Sequence, residues 1–222
     1  MMAVFRDRAE AGRELATHLM SYADKSDVIV LGLPRGGVPV AYEVAAALRA
    51  PLDVYLVRKL GVPGYPEVAM GAVASDGSCV VNESTVDAAG VTVEAFQTEL
   101  VHEFGELKRR EAAYRDDLPE PALTGKRVIL VDDGLATGAS MYSAVVALRQ
   151  RKPAEIVAAV PVAPEETCRW LAQAADRVVA PNQPHFFGAV GYYYANFEQV
   201  GDEEVRRLLR EARRNSETWK AA

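Results

Sequence analysis

Asp132 and Asp133 stand side by side, and Thr137 and Ser140 follow a few residues later, in the run VILVDDGLATGAS at residues 128–140. Two adjacent carboxylates are acceptors suited to vicinal hydroxyls. Beyond Gly134, the stretch Ala136, Thr137, Gly138, Ala139 and Ser140 offers successive backbone N–H groups and two hydroxyls at a helix start, which suits a phosphate. An acidic pair and an anion nest would conflict if both faced one phosphate, because the carboxylates repel what the nest attracts. They make sense along a ligand with hydroxyls at one end and phosphate at the other, such as a ribose 5-phosphate group.

Three other groups of residues have chemical potential. Pro34-Arg35-Gly36-Gly37 combines a guanidinium for charge pairing with glycines that permit close backbone approach, although PRGG alone also fits a plain turn. Arg58 and Lys59 end an apolar segment just before a loop rich in glycine and proline; a solvated basic pair is the alternative. His18, His102 and His185 are too scattered for a catalytic or metal cluster, so no protein metal site is expected, and only His185 merits a role as acid or base. Cys79 and Cys168 have no CxxC or Cys/His spacing and read as buried, reduced thiols.

The surrounding pattern supplies the scaffold. Phe5, Ala9, Gly12, Ala16, Leu19 and Ala23 mark an amphipathic first helix, and residues 28–33 a buried strand broken by PRGG before helical spacing resumes. A strand is expected over 54–58, then a mobile or irregular lid over 60–67, an apolar stretch over 68–74 and a short strand over 79–81. Thr92 can cap a long helix carrying Val93, Phe96, Leu100, Phe104, Leu107 and Tyr114 on one face, ended by Pro119 and Pro121. Strands at 127–131, 156–162 and 177–180 alternate with helices after Ser140 and over about 165–174. Asp202 is the expected N-cap of a last helix whose buried face is Val205, Leu208, Leu209 and Ala212. This alternation calls for an α/β fold, a parallel sheet flanked by helices, in which ligands bind at the carboxyl ends of the strands.

Composition narrows the class. Half of the 222 residues are hydrophobic and a quarter charged, the balance of an ordinary globular domain. A net charge of -6 argues against non-specific nucleic-acid binding, which needs a broad basic surface. No apolar run reaches membrane-spanning length, and the N-terminal segment lacks the apolar core of a signal peptide, so a cytoplasmic protein without membrane partners is expected.

The run at 128–140 resembles the phosphoribosyl pyrophosphate (PRPP) signature of type I phosphoribosyltransferases, an apolar strand, an acidic pair and then TGxS. With PRGG and the RKxGxP segment at Arg58, the chain is similar to a subgroup of uncharacterised bacterial phosphoribosyltransferase-like proteins. A GxGxxG dinucleotide loop is excluded by the acidic pair, and a receiver domain carries its acids after the first strand instead. The resemblance covers residues 28–74 and 126–202. It implies a single domain over 1–222 with a Rossmann-like core at about 25–180, a small hood from about 1–24 and 181–201, and an inserted helical segment at about 83–118.

What the resemblance implies for function is a pentosyltransferase of nucleotide metabolism that moves ribose 5-phosphate from PRPP to a small-molecule acceptor, a nucleobase being one candidate, and releases pyrophosphate. Asp132 and Asp133 would hold the ribose hydroxyls and, with Arg35, form the catalytic set; Gly134 and residues 136–140 would cradle the 5'-phosphate. Arg35, Gly36, Gly37, Arg58 and Lys59 would face pyrophosphate, with Mg2+ bound mainly through PRPP oxygens and water. Ala136 replaces the acid that serves 6-oxopurines, which counts against hypoxanthine or guanine. Phe187, in the aromatic segment FFGAVGYYYANF, is the candidate to stack on a planar acceptor, or else an ordinary core aromatic. A homodimer is open. The alternative is a non-catalytic PRPP or nucleotide sensor of the same fold; such regulators usually add a basic nucleic-acid-binding surface, and none is visible here.

Overall fold

The computed structural model describes residues 4–115 and 120–221. Helix α1 (Arg8–Thr17) begins at Asp7, whose carboxylate accepts the Glu10 N–H at 2.8 Å. It is shorter than the expected stripe. Phe5 lies before it in a bridge to Tyr194, and the chain tightens into a 3-10 turn at Met20–Tyr22.

Strand β1 (Val28–Gly32) leads through PRGG into α2 (Gly37–Leu48) and then β2 (Leu52–Val54). Further along come β6 (Arg127–Val131), α5 (Ala139–Arg149), β7 (Glu155–Ala159), α6 (Glu165–Leu171) and β8 (Arg177–Val179). These five strands form one parallel sheet in the order β2-β1-β6-β7-β8. Continuous apolar runs suit its centre because both faces are covered. Val28, Val30, Ile129 and Val131 pack with α2 and the last helix, α7 (Asp202–Ala221), while Ile29, Leu31, Val128 and Leu130 pack with α5.

Between β2 and β6 the chain builds a second sheet that the sequence did not announce. β3 (Val57–Val62), β4 (Tyr65–Ala74) and β5 (Cys79–Val81) pair antiparallel in that order. The strand expected over 54–58 is therefore two strands. Tyr55 N–H still reaches Gly32 O at 3.1 Å in the parallel sheet, whereas Leu56 O accepts from Ser75 N at 3.0 Å in the antiparallel one. The lid expected as an irregular loop over 60–67 is a hairpin turning at Pro63 and Gly64, its pairing broken by a bulge where Gly61 passes Pro66. Prolines and glycines disguise it because they fall at the bulge and the turn.

After a short helix α3 (Glu83–Ala89), Thr92 Oγ1 accepts the Ala95 N–H at 3.2 Å and opens α4 (Val93–Arg115). Phe96, Leu100, Phe104, Leu107 and Tyr114 pack on the core as expected, but Val93 is 68% exposed because the helix meets the core only from Phe96 onward. Pro119 lies outside the described residues. Asp202 is the first residue of α7 rather than its cap: the Val205 N–H goes to Gly201 O, and the Asp202 carboxylate accepts the Tyr114 hydroxyl at 2.6 Å. Among the described residues no helix is long and apolar enough to cross a membrane.

Buried Arg115 pins the end of α4 to the parallel sheet. Its guanidinium meets Asp53 at 3.3 Å, the Val54 carbonyl at 3.1 Å, Glu120 at 3.4 Å and the Glu111 carboxylate. Removing it would strand carboxylates that burial has already cost their hydration. Arg115→Ala is expected to destabilise the fold by about 3–5 kcal/mol, measured by urea denaturation.

Candidate active site

β1 and β6 end level with each other, Gly32 beside Val131, and Leu33 N–H continues the ladder to Val131 O at 2.8 Å. The loops that follow must therefore run side by side. The PRGG loop, whose Pro34–Arg35 peptide is cis, lies against the acidic loop so closely that a Cβ on Gly36 would overlap Asp133 Oδ2. A Cβ on Gly37 would fall 2.6 Å from Val131 O and 3.0 Å from Asp132 Oδ1. Only glycines allow this contact, and it brings Gly36 and Gly37 to Asp132 and Asp133, while the Arg35 side chain lies toward Asp202.

Asp132 Oδ1 accepts the Asp133 N–H at 2.9 Å. Burial, and then the neighbouring Asp133 charge, push the Asp132 carboxyl well above the ordinary aspartate range. Asp133 is also pushed up by burial, against the pull of Arg8. That arginine comes from the first turn of α1: its Nε lies 2.8 Å from Asp133 Oδ2, its Nη1 donates to Glu198 O at 2.7 Å, and its guanidinium sits 3.9 Å from the Phe197 ring centroid. The Tyr194 hydroxyl donates to Asp133 O, and burial pushes its own pKa up. Sequence reasoning missed Arg8. The one signal available was a cation in a helix first turn, where the dipole opposes it and a tertiary partner must compensate.

Beyond Gly134, which is buried against Val162 and Val190, Ala136 and Thr137 turn outward. Thr167 of α6 supports them by donating to Ala136 O at 2.8 Å. Gly138, at φ 75°, precedes α5 without a cap side chain of its own, and the Ala139 N–H makes only a long 3.4 Å contact to Thr137 Oγ1, which an anion at this helix N-terminus can displace. Ala139 and Ser140 are exposed there.

Arg58 and Lys59 part company because successive side chains of β3 point to opposite faces. Arg58 pairs with the Glu103 carboxylate of α4, while Lys59 is exposed and lies 3.7 Å from Glu67 on β4. A cavity of about 140 Å³ is lined by Pro34, Arg58, Asp132 and Ser140, with Leu107 and Arg110 contributed by α4. Arg35 lines a second cavity, of about 260 Å³, with Arg109, Arg110, Tyr114 and Asp202; Arg35 Nη1 lies 3.7 Å from Asp202 Oδ1. Burial, and then Asp202, push the Tyr114 hydroxyl up to about 12.

A third cavity, of about 800 Å³, opens beside Ala136 and is lined by His185, Phe187, Arg169 and two exposed aromatics, Phe186 (85%) and Tyr192 (70%). His185 is exposed; Phe187 is half-buried and stacked on Tyr193, their centroids 5.4 Å apart. The segment around them forms a 3-10 turn at Val190–Tyr193, and its end is tied to the first residues by Ala195 N–H to Phe5 O at 2.8 Å.

The model of the phosphoribosyl transferase domain matches residues 5–195. In two strains of Mycobacterium tuberculosis a protein provisionally named phosphoribosyl transferase is 44% identical over 214 residues, covering 96% of this chain and 48% of the relative. The chain thus spans about half the length of the curated relatives it matches. A crystal structure from Thermus thermophilus aligns with a TM-score of 0.86 at 44% identity, covering 95% of this chain and 99% of that one.

The half-buried acidic pair carries a stability consequence. With folded-state pKa values raised, its contribution is fully present below the unfolded aspartate range and is lost as pH rises through the folded values. Asp132→Asn keeps the acceptor for Asp133 N–H and removes the charge. The melting temperature of this variant is expected to exceed the parent's at pH 8, by about 2–4 °C per kcal/mol relieved, with the gain fading toward pH 4; a melting series across pH checks it.

Proposed function

The chain belongs to the phosphoribosyl transferase domain family, and on that footing we propose that it moves the ribose 5-phosphate group of PRPP to a small acceptor, with release of pyrophosphate. One observation carries this reading: a single loop after β6 joins the Asp132–Asp133 pair to an uncapped helix N-terminus, and the PRGG loop abuts the pair. Amides for the 5'-phosphate, carboxylates for the ribose hydroxyls and, on the PRGG side of the pair, a guanidinium for pyrophosphate follow the order of groups along PRPP. The α1 region and residues 181–201 then act as the hood of one domain.

In this reading the nucleophile forms a bond to ribose C1 as the C1–O bond to pyrophosphate breaks, its electron pair leaving with pyrophosphate. Positive charge develops on C1 and the ring oxygen, so no covalent protein nucleophile is needed. The acidic pair orients the ribose, the α5 amides anchor its 5'-phosphate, and Arg35 draws on the leaving group. The β3–β4 hairpin acts as the lid that excludes water, which would otherwise intercept the donor.

Mg2+ fits as a companion of the donor. The chain places two adjacent carboxylates at the site, one already bound to Arg8, and that donor set suits a cation carried largely by phosphate oxygens and water. When bound it would neutralise charge on the leaving group. Phe187, Phe186 and Tyr192 offer aromatic surface to a planar acceptor in the cavity beside Ala136, with His185 as its acid or base.

The test is to incubate the chain with PRPP and Mg2+, screen nucleobases and small amines, and measure pyrophosphate. Acceptor-dependent release is expected, and Asp133→Asn should reduce it about 10–100-fold, the worth of a charge-assisted hydrogen bond. Tight PRPP binding without release for any acceptor would replace the enzyme with a PRPP sensor. Absence of PRPP binding would overturn both.

A further inference from the structure

We infer that Arg110, on α4, binds the pyrophosphate end of the donor together with Arg35, so that the inserted helix is part of the site. The inference rests on the PRPP reading above. Its basis is position: Arg110 lines the cavity shared by Pro34, Asp132 and Ser140, and it also lines the cavity that holds Arg35. Arg110 thus borders both the cavity that Asp132 lines and the one that Arg35 lines.

Charge accounting favours the same residue. Arg58 is already matched by Glu103, which is only 7% exposed, and Lys59 is matched by Glu67. A polyanion beside a neutralised pair gains little. Arg109 and Arg110 instead share one carboxylate, Glu106, at 2.8 and 3.1 Å, and Arg35 is 3.7 Å from Asp202. Three guanidinium groups thus face two carboxylates, leaving positive charge where a diphosphate would lie. A guanidinium also matches adjacent phosphate oxygens with two parallel N–H bonds, which an ammonium does not.

The helix itself fixes the placement. Leu107, Arg110 and Tyr114 are three and four residues apart and so share one face of α4. Leu107 and Tyr114 are buried, and Arg115 ties the helix end to β2, so Arg110 is held over the cavities by neighbours on both sides. Its own side chain remains 46% exposed, bound within α4 to Glu106 four residues earlier. It can reorient without disturbing the core.

Calorimetric titration of the full chain with Mg2+–PRPP, inorganic pyrophosphate and ribose 5-phosphate tests this. Arg110→Ala is expected to weaken PRPP and pyrophosphate binding about tenfold or more while leaving ribose 5-phosphate within about twofold, and Arg110→Lys to recover part of the loss. Unchanged PRPP affinity in Arg110→Ala overturns the inference alone. An equal loss of ribose 5-phosphate affinity also overturns it, since that marks general damage to the site. If the unsubstituted chain binds neither PRPP nor ribose 5-phosphate, the PRPP reading falls and the inference falls with it.

Discussion

Parallel pairing of β1 with β6 stops both strands at the same level, and everything at the site follows from the two loops being forced into contact there. Loops of ordinary composition would splay apart. Gly36 and Gly37 instead leave room for the carboxylates and carbonyl of the opposite loop, so a cationic loop and an acidic one meet without intervening side chains. The β1–α2 turn and the β6–α5 turn become one surface.

That surface has an electrostatic cost. Burial raises the proton affinity of both carboxylates, the Asp133 charge raises that of Asp132 further, and a cation from elsewhere offsets part of the penalty. Arg8 does so from α1, stacked on Phe197 and bonded to the Glu198 carbonyl. The first helix and the residues before α7 are thereby tied to the acidic loop by charge as well as by the bridge of Phe5 to Tyr194. Any ligand that bonds to Asp133 acts on a carboxylate already shared with the N-terminal helix.

The same economy of charge shapes the other side. Glu103 on α4 satisfies Arg58 on β3, and Arg115 satisfies Asp53 on β2, so α4 is fastened to both sheets by part-buried ion pairs. Such pairs need close geometry to offset desolvation, and a helix held that way is a rigid platform for Arg109 and Arg110. The antiparallel sheet beneath it contributes Val57 and Arg58 to the cavity that Asp132 also lines.

Much of this was legible in the chain itself. The apolar run ending in Asp132-Asp133, the uncapped start of α5, the PRGG break after β1 and the buried face of α7 are local patterns, and local backbone preference and periodicity are enough to specify them. The split at Tyr55, the hairpin over 60–67 and the exposure of Val93 were not legible, because a strand's partner and a helix's contact line depend on what lies across from them. Arg8 and Arg110 were hidden for a stronger reason. Each sits in an ordinary charged helical stretch, and its meaning comes from a residue far away in sequence, Asp133 for one and Arg35 across the cavity for the other. Sequence determined which loop presents carboxylates and amides, since that is covalent order; only the tertiary structure decided which arginines face them, since charges act through space.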